Sequence, residues 1–535
     1  MNGAEYLCKL FKENGVSNIF GLFGDIQTYF ADALQKSSIK WIHVHNEKSG
    51  GFMADIYSRV SGKTGVVFST VGPGATNLTS ALANATQDRV PLIGLSDQVS
   101  VLELNRETHQ YIDLAEAFHP RTGITKQTFI VKNLEELPKI VNSAFEIAQA
   151  EPKGAVHISF PADLYGKEAP KETGDNINLI DGKDIHSENT ITYENIVKKL
   201  NGGKRCLVIA GGSIERANSQ IEFKQFIEKF NLPVLTTFRG KNVLPGAHPN
   251  NLGTISRHLG AVLQELIKEA AFILAVGYDY NEGLKPSLWG KTGVININSF
   301  DNRINEVFYP QSFFGDLKLF FKKISQEKEP SYGDNSKFIQ TKQRIKSIIH
   351  NALDVPNKKL HPRRIIDAIN KVFNKETVIV CDVGLNKYYS GLLLEPFPTN
   401  KILFSNGQSA MAFTSGALGA KIADPKKDVV VLVGDGGFLM DPQEVLTCVE
   451  HKKSLIWIIF NNGGLGLVEQ AQYKNSDKTH GVHFSNVSFT KLAQAFGVDG
   501  IHLTSEKNLE KILRKYQKQK KSVIIDVPVA YAVRD

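Results

Sequence analysis

Cysteine and long apolar runs are both scarce in this sequence, and each scarcity excludes a class of protein. The 535 residues include four cysteines, Cys8, Cys206, Cys381 and Cys448, which lie far apart with no C-x-x-C spacing. This arrangement argues against a zinc site and indicates the reduced thiols of a cytosolic protein. No apolar stretch approaches the roughly 20 residues that span a bilayer, and residues 1–16 have the pattern of an amphipathic helix, not of a signal peptide. We therefore expect a cytoplasmic protein with no membrane partner.

A concentration of charge of one sign is also absent. The 63 Lys and Arg residues outnumber the 55 Asp and Glu residues, and the resulting net charge of +8 is scattered along the chain. The densest basic cluster, RKYQKQKKS at 514–522, predicts the solvated face of one helix. Because a nucleic-acid-binding protein needs a concentrated basic stripe, we expect no nucleic-acid partner.

Short apolar runs rich in β-formers alternate with helical patterns along almost the whole chain. Such alternation predicts βαβ units, in which helices cover both faces of a mostly parallel sheet. The chain of 535 residues is too long for one core, and polar stretches at 165–190 and 325–337 indicate linkers. We predict three doubly wound α/β domains with mostly parallel sheets, at 1–165, 188–325 and 355–535. The first and third have similar strand counts, which raises the suspicion of a duplication.

The predicted strands are short segments, five in the first domain, four in the second and five in the third. In chain order they are NIFGLFG, KWIHVH, TGVVFST, PLIGLSD and AVHISFP, then RCLVIAGG, PVLTTF, FILAVGYD and GVININS, then TVIVCDVG, KILFSN, VVVLVG, SLIWIIFN and SVIIDVP.

A single acid follows the buried strand VVVLVG in the segment VGDGGFLM at 433–440. This acid is Asp435, and the amide Asn462 follows the next strand in the same way. Ligands of open α/β sheets bind at the carboxyl ends of strands, where these two side chains are expected to converge. A carboxylate and an amide oxygen suit a hard Mg²⁺ ion that neutralises a diphosphate. The alternative is a tight turn with an Asx cap.

The spacing of GDG and NN, with 24 residues between them, resembles that of the thiamine-diphosphate-dependent enzymes. Nearly the whole chain is similar to the acetolactate synthase branch of this family, whose three domains are the pyrimidine-binding, middle and diphosphate-binding domains. The resemblance implies that Mg²⁺ is held by Asp435, Asn462 and the carbonyl of Gly464. It also implies that thiamine diphosphate is contacted by Gly434, Asp435, Gly436, Gly437, Asn462, Gly464, Leu465 and Gly466.

Two further segments, SNGQSAMAF at 405–413 and CDVGLNKYY at 381–389, are similar to cofactor segments of the family. The resemblance places Met411 beneath the bent cofactor, although a lone methionine is more often a core residue. The remaining cofactor contacts that it implies are Gln408, Ser409, Gly384 and Asn386. Gln408 stands one residue early, and Ser409 occupies the position of the family's Gln.

Thiamine chemistry needs a carboxylate against the aminopyrimidine, in apolar surroundings where it can share a proton. The segments VHNEKSGGFMA at 44–54 and STVGPGATN at 69–77 match the family's segments and place Glu47 in this role. The alternative is an acid that interacts favourably with the dipole of a helix start. In the family this Glu faces the diphosphate domain of another subunit. The resemblance therefore implies a homodimer or homotetramer with active sites between subunits.

The segment RETHQYIDLAEAF at 106–118 resembles the catabolic, FAD-independent acetolactate synthases and also carboxyethylarginine synthase. It places Gln110, together with His109, over the reacting carbon. The alternative for His109 is a capped surface histidine or a core histidine. The middle domain has neither the family's Arg-rich FAD segment nor a G-x-G-x-x-G fingerprint, so we do not expect FAD.

Three residues depart from the family pattern near the substrate. Phe23 replaces a proline in the first loop, Ile26 replaces a lysine that can meet the pyruvate carboxylate, and Asn46 stands before Glu47 where histidine is usual.

The leading functional hypothesis is a carboligase that decarboxylates a 2-oxo acid such as pyruvate and transfers the acyl carbanion to a second carbonyl. The alternative is another thiamine-diphosphate lyase or transferase with a different substrate, either a 2-oxo acid decarboxylase or an enzyme similar to carboxyethylarginine synthase. A non-catalytic homologue and a nicotinamide dehydrogenase are weaker hypotheses. The non-catalytic homologue conflicts with the intact residues Glu47, Asp435 and Asn462. The dehydrogenase conflicts with the lack of a dinucleotide fingerprint.

Overall fold

The chain forms three parallel sheets of six strands each, with helices between the strands. Every pairing between neighbouring strands in the described part of the chain is parallel. This confirms the predicted fold class of three doubly wound α/β domains. The computed structural model describes residues 1–171, 188–256, 260–282, 292–301, 311–327, 336–352, 360–476 and 478–531. Most of both predicted linkers lies outside these residues, so the predicted domain boundaries stay a prediction.

The first sheet has the strand order β2-β1-β3-β4-β6-β5. Its strands are β1 Asn18–Gly21, β2 Lys40–His43, β3 Gly65–Ser69, β4 Leu92–Gln98, β5 Gln127–Ile130 and β6 Ala155–Pro161. Its helices are α1 Gly3–Glu13, α2 Thr28–Lys36, α3 Glu47–Ser61, α4 Pro73–Asn77, α5 Thr79–Gln87, α6 Leu114–Ala117 and α7 Leu137–Gln149. The central strands β3 and β4 are buried along their whole length, because helices cover both faces of the sheet.

The middle sheet has the order β12-β11-β10-β7-β8-β9. Its strands are β7 Cys206–Ala210, β8 Val234–Thr236, β9 Asn251–Thr254, β10 Phe272–Val276, β11 Gly293–Asn298 and β12 Gln311–Phe314. The helices of this part of the chain are α8 Tyr193–Asn201, α9 Ser213–Arg216, α10 Gln220–Lys229, α11 Gly260–Glu269, α12 Leu317–Ile324 and α13 Ser336–Ala352.

The third sheet has the order β14-β13-β15-β16-β18-β17, which repeats the order of the first sheet. Its strands are β13 Thr377–Cys381, β14 Lys401–Phe404, β15 Asp428–Gly434, β16 Ile456–Asn461, β17 Asp499–His502 and β18 Val523–Pro528. Its helices are α14 Pro362–Val372, α15 Leu385–Leu393, α16 Leu418–Ala423, α17 Asp435–Phe438, α18 Glu444–Glu450, α19 Gly466–Ser476, α20 Phe489–Ala495 and α21 Leu509–Gln519. The shared strand order fits the suspected duplication.

Four strands have no counterpart among the predicted ones, and all four lie at the edge of a sheet. They are β5, β9, β12 and β17. An edge strand has one strand neighbour and needs no continuous apolar run, so its sequence signal is weak.

Helix α3 joins the first and third domains through close backbone contacts. A Cβ atom at Gly416 or at Gly419 would collide with backbone atoms of Phe52 and Met53 on α3. The ring of Phe52 also packs edge-on against Phe413, with 5.8 Å between the ring centroids. The two domains of one chain therefore share a dry interface along α3.

Asp88, which follows α5, joins all three domains. Its carboxylate is buried and forms ion pairs with Arg59 of the first domain at 2.8 Å and with Arg239 of the middle domain at 2.7 Å. It also accepts a hydrogen bond from the N–H of Gly407 in the third domain, at 2.8 Å. Burial by itself would raise the pKa of Asp88, but the guanidinium groups of Arg239 and Arg59 outweigh burial and hold this pKa well below its usual range.

Candidate active site

Asp435 closes onto the loop that follows the neighbouring strand. It is the first residue of α17, directly after β15, and its side chain is buried. Its Oδ2 atom accepts hydrogen bonds from the N–H groups of Gly463 at 2.7 Å and of Gly464 at 2.9 Å. Burial raises the pKa of Asp435, while the backbone N–H groups around it, including that of Gly436, oppose the rise. The structure thus brings together the ends of β15 and β16, as the sequence predicts.

Several of the predicted cofactor residues surround this turn. The Nδ2 atom of Asn462 lies 3.1 Å from the position of a Cβ atom at Gly466, and the side chain of Leu465 lies 3.0 Å from that of a Cβ atom at Gly436. A Cβ atom at any of these glycines would enter crowded space. The turn therefore presents bare backbone, which is the surface that a diphosphate requires.

Gly384 and Asn386 complete the same edge of the sheet. Gly384 has a φ of +127°, which favours glycine, and it lies at the start of α15. The buried side chain of Asn386 donates a hydrogen bond to the carbonyl of Asp382 at 3.1 Å. Its Oδ1 atom lies 3.5 Å from the position of a Cβ atom at Gly434. Gly384, Asn386 and Gly434 therefore lie at the same edge of the third sheet as Asp435.

The oxygen ligands at this edge suit a hard divalent cation. They are the carboxylate of Asp435, the amide of Asn462 and the carbonyl of Gly464, all oxygen ligands of the kind that Mg²⁺ prefers. The Gly464 carbonyl accepts a hydrogen bond from the N–H of Gly466 at 3.1 Å, and a carbonyl oxygen has a second lone pair. No cluster of three His, Cys, Asp or Glu residues able to bind a metal occurs among the described residues.

Met411 belongs to a segment with unusual backbone geometry. Ser409 and Ala412 have positive φ values of 48° and 69°, which cost an L-residue about 1 kcal/mol or more each. Met411 is half-buried, whereas Gln408 and Ser409 are exposed. The segment lies beside the glycine turn, because Ala412 contacts Asp382 and Asp382 adjoins Gly437.

Glu47 is the first residue of α3 and lies in the first domain. Its side chain is 6% exposed, and its Oε2 atom accepts a hydrogen bond from Asn77 at 3.0 Å. A Cβ atom at Gly74 would lie 3.1 Å from Oε1. The G-P-G turn at 72–74 therefore packs directly over the carboxylate.

Gln110 reaches the other side of the same turn. Gly72 has a φ of +64°, and a Cβ atom there would lie 2.9 Å from the Cβ of Gln110. Gln110 itself has a positive φ of 61° and is exposed, as is His109. The turn thus gathers Glu47 and Gln110 into one cluster of the first domain.

Within one chain, the two clusters are held by different sets of hydrogen bonds. Glu47 bonds to Asn77, and Asp435 bonds to the loop at 463–464. No hydrogen bond joins Glu47 to that loop or to Asp435 in the part of the chain that the structure describes.

The residues that depart from the family pattern have clear local roles. Asn46 caps α3, because its Oδ1 atom accepts a hydrogen bond from the N–H of Lys48 at 2.9 Å. Phe23 stacks on Trp41 with 3.9 Å between the ring centroids. Ile26 is 40% exposed and adds an apolar side chain to the first loop.

Two residues of this region were missed in the sequence. Asn77 holds Glu47, and Asp382 lies between two cofactor segments, with a fully buried side chain. Each belongs to a segment that matches the family, but neither was selected. Asp382 had a usable signal, because it is an acid directly after a buried strand, as Asp435 is.

A buried acid lies at the ligand crevice of the middle domain. The strand order reverses between β10 and β7, which is where open α/β sheets bind ligands. There, Glu282 accepts hydrogen bonds from the N–H of Gly212 at 2.9 Å and from the hydroxyl of Thr237. Burial raises the pKa of Glu282 to about 7. The absence of FAD stays a prediction.

Comparison with known proteins identifies the family. Three models match the chain, namely the N-terminal TPP-binding domain of thiamine pyrophosphate enzymes at residues 1–117, their central domain at 193–324 and their C-terminal TPP-binding domain at 382–527. An acetolactate synthase large subunit of Buchnera aphidicola subsp. Acyrthosiphon pisum is 30% identical, over 96% of this chain and 91% of its own. This chain belongs to the thiamine pyrophosphate enzymes, in the acetolactate synthase branch.

Two other relatives agree with this assignment. An acetolactate synthase of Bacillus subtilis (strain 168) is 27% identical, over 99% of this chain and 93% of its own. A probable acetolactate synthase large subunit of Methanococcus aeolicus is 29% identical, over 96% and 90%. The chain is thus a thiamine-diphosphate-dependent carboligase of the acetolactate synthase type. Among the described helices of this enzyme, none is long and apolar enough to cross a membrane.

Proposed function

We propose that this enzyme decarboxylates a 2-oxo acid such as pyruvate and joins the acyl group to a second carbonyl, with thiamine diphosphate and Mg²⁺ as cofactors. The observation that carries the proposal is the closure of Asp435 onto the amides of Gly463 and Gly464, at 2.7 and 2.9 Å. This closure gathers a hard anionic ligand and bare glycine backbone at one sheet edge.

Mg²⁺ would be held by Asp435, Asn462 and the carbonyl of Gly464, and the glycines beside them would contact the diphosphate. Thiamine diphosphate, when bound, supplies the electron sink that decarboxylation requires. The chain orients the cofactor, with Met411 supporting it from the neighbouring segment. These roles extend the family resemblance to individual residues.

Glu47 is proposed to hold a proton at the pyrimidine ring of the cofactor. Its burial and its hydrogen bond from Asn77 fix the carboxylate in one orientation, as a general acid–base group requires. As the family resemblance implies, we propose that Glu47 serves the diphosphate domain of a partner subunit. The enzyme would then be a homodimer or homotetramer with active sites between subunits.

Gln110 and His109 are proposed to contact the reacting groups, since Gln110 adjoins the turn that covers Glu47. Ile26 favours a second candidate, in which the substrate is not pyruvate. The side chain is 40% exposed and apolar at the position where the family carries a lysine for the carboxylate. The alternative reactions are those of a 2-oxo acid decarboxylase and of a carboxyethylarginine-synthase-like enzyme.

We also propose that the enzyme is cytoplasmic and that it belongs to the FAD-independent, catabolic type. All four cysteines are buried free thiols, as expected for a protein of the reducing cytoplasm. The lack of the family's Arg-rich FAD segment in the middle domain supports the FAD-independent, catabolic type.

The test is an incubation of the purified protein with thiamine diphosphate, Mg²⁺ and pyruvate, followed by measurement of released CO₂ and of the coupled product by NMR. We expect both products from the wild type and neither from E47Q. A protein that neither releases CO₂ from any 2-oxo acid nor forms a C–C bond would refute the proposal. A screen of 2-oxo acids against aldehydes and phosphosugars separates the two candidate substrates.

A further inference from the structure

Asp382 is a buried acid between the two loops to which the proposed function assigns the cofactor. It follows β13 directly, and its N–H donates a hydrogen bond to the carbonyl of Leu432 on β15 at 2.9 Å. The strand on one side, β14, leads to the segment 405–413. The strand on the other side, β15, leads to the glycine turn at 434–437.

The carboxylate of Asp382 contacts both loops. Its Oδ2 atom accepts a hydrogen bond from the N–H of Ala412 at 3.2 Å. A Cβ atom at Gly437 would collide with the same oxygen, so only glycine fits there. Its other oxygen, Oδ1, has no hydrogen-bond partner among the described residues.

The loop that Asp382 contacts contains two residues with strained backbone geometry. Ala412, directly after Met411, has a φ of +69°, and Ser409 has a φ of +48°. Several hydrogen bonds hold this segment, among them one from the Ser409 hydroxyl to the carbonyl of Asn406 at 3.1 Å and one from the N–H of Ser415 to the carbonyl of Ala412 at 2.9 Å. The hydroxyl of Ser405 accepts a hydrogen bond from the N–H of Ala410 at 3.0 Å, and Asp382 accepts the one from Ala412.

We propose that Asp382 is a positioning residue, which fixes the distance between the Met411 segment and the Gly437 turn without touching the cofactor. This inference rests on the proposed function, because it takes Met411 and Gly437 to face thiamine diphosphate. A fully buried carboxylate with no ion pair among the described residues is costly to keep. Burial raises the pKa of Asp382 to about 7. A role in the shape of the site explains why the acid is there.

The test compares D382A with D382N and with a matched control. Asp97 is also a fully buried acid whose pKa burial raises to about 7, but it lies on β4 of the first domain, where its carboxylate accepts hydrogen bonds from Gln27 and Tyr165. We expect D382A to weaken the binding of thiamine diphosphate with Mg²⁺ by about tenfold to about 100-fold. D97A should lower the melting temperature to a similar extent and leave this affinity unchanged. The affinity is measured by calorimetric titration of each purified variant.

Two rescue variants separate positioning from a general loss of structure. D382N keeps an oxygen that can accept from Ala412, so it should recover most of the affinity. A412G removes the strain at positive φ, so D382A/A412G should also bind the cofactor more tightly than D382A. Should D382A fail to fold, A412V tests the same link, because a β-branched residue adds strain at this φ. It should weaken binding by about tenfold.

The outcomes distinguish this inference from the proposed function. A wild type that does not bind thiamine diphosphate refutes the proposed function. A wild type that binds it, with D382A and A412V binding equally well, refutes the role of Asp382 and leaves the proposed function in place.

Discussion

Asp88 of the first domain and Arg239 of the middle domain form an ion pair of 2.7 Å, with both side chains almost fully buried. The carboxylate has a further guanidinium partner in Arg59 and a backbone partner in the third domain, the N–H of Gly407. Asp88 thus pairs with two buried cations where three domains meet, and Asp55 is a second acid partner of Arg59.

D88N should destabilise the protein strongly. The amide would leave Arg239 without its described ion-pair partner and Arg59 with Asp55 alone, and breaking a buried pair in this way costs about 3 to 5 kcal/mol. The urea midpoint of D88N, followed by far-UV circular dichroism, should fall accordingly. E265Q is a suitable control, because Glu265 forms an ion pair with Arg344 that is about half exposed. Equal midpoints for D88N and E265Q would contradict the proposed importance of the junction.

The same acid predicts a dependence on low pH. The pKa of Asp88 is lowered in the folded protein, so its stabilising effect is fully present above the unfolded value of about 3.9 and is lost as the pH falls below that value. The wild type should therefore lose stability on acidification more steeply than D88N. Thermal melts in steps below about pH 5 measure this difference. Parallel curves would mean that Asp88 does not titrate as described.

E47Q should abolish turnover without loss of the fold. The glutamine can still accept the hydrogen bond from Asn77, but it cannot share a proton, and such groups contribute about 10² to 10⁴ in rate. Steady-state assays at saturating cofactor give the rate, and the melting temperature confirms the fold. A fully active E47Q variant would show that a residue other than Glu47 shares the proton with the cofactor.

D435N should weaken Mg²⁺-dependent cofactor binding. The amide presents one neutral oxygen, and either that oxygen or an N–H group must face the donors at Gly463 and Gly464. We expect a loss of at least about tenfold in affinity, or about 1.4 kcal/mol. Calorimetric titration with Mg²⁺, and again with excess EDTA, measures it. D424N, at an acid beyond the end of α16, controls for the charge change. Binding that is insensitive to EDTA would contradict a metal at this position.

E282Q should flatten the stability profile near neutral pH. The pKa of Glu282 is raised to about 7 in the folded protein, so the folded state binds more protons than the unfolded state from about pH 4.3 to about pH 7, and stability falls as the pH rises through this window. Glutamine does not ionise, so the variant should lack this fall. Urea midpoints between about pH 5 and about pH 8 test it. An unchanged slope in E282Q would assign the dependence to other acids.

Central strands could be predicted from the sequence, whereas four of the six edge strands could not. Val429–Val433 of β15 are a continuous buried run, which two-sided burial requires. In contrast, β17 is Asp499–His502 and is nowhere fully buried. Its place in the sheet comes from pairing with β18, which local sequence does not encode.

The diphosphate side of the site was predictable because it is local. Asp435 and Asn462 each follow a strand, and adjacent parallel strands bring such residues together. Asp382 was not predictable as a contact of Ala412 and Gly437, because these three residues meet only through the order of strands in the third sheet. The roles assigned to Glu47 and Gln110 stay predictions until cofactor binding is measured.

The close packing of α3 constrains attempts to recombine this enzyme with its relatives. The helix begins with Glu47. It packs so closely against Gly416 and Gly419 that a Cβ atom at either glycine would collide with its backbone. A chimera that takes its first domain from one parent and residues 413–423 from another would combine two contact surfaces that did not evolve together. Any larger side chain at either glycine would displace the helix, and the acid at its start would move with it. Engineers who exchange these parts should transfer both as one unit.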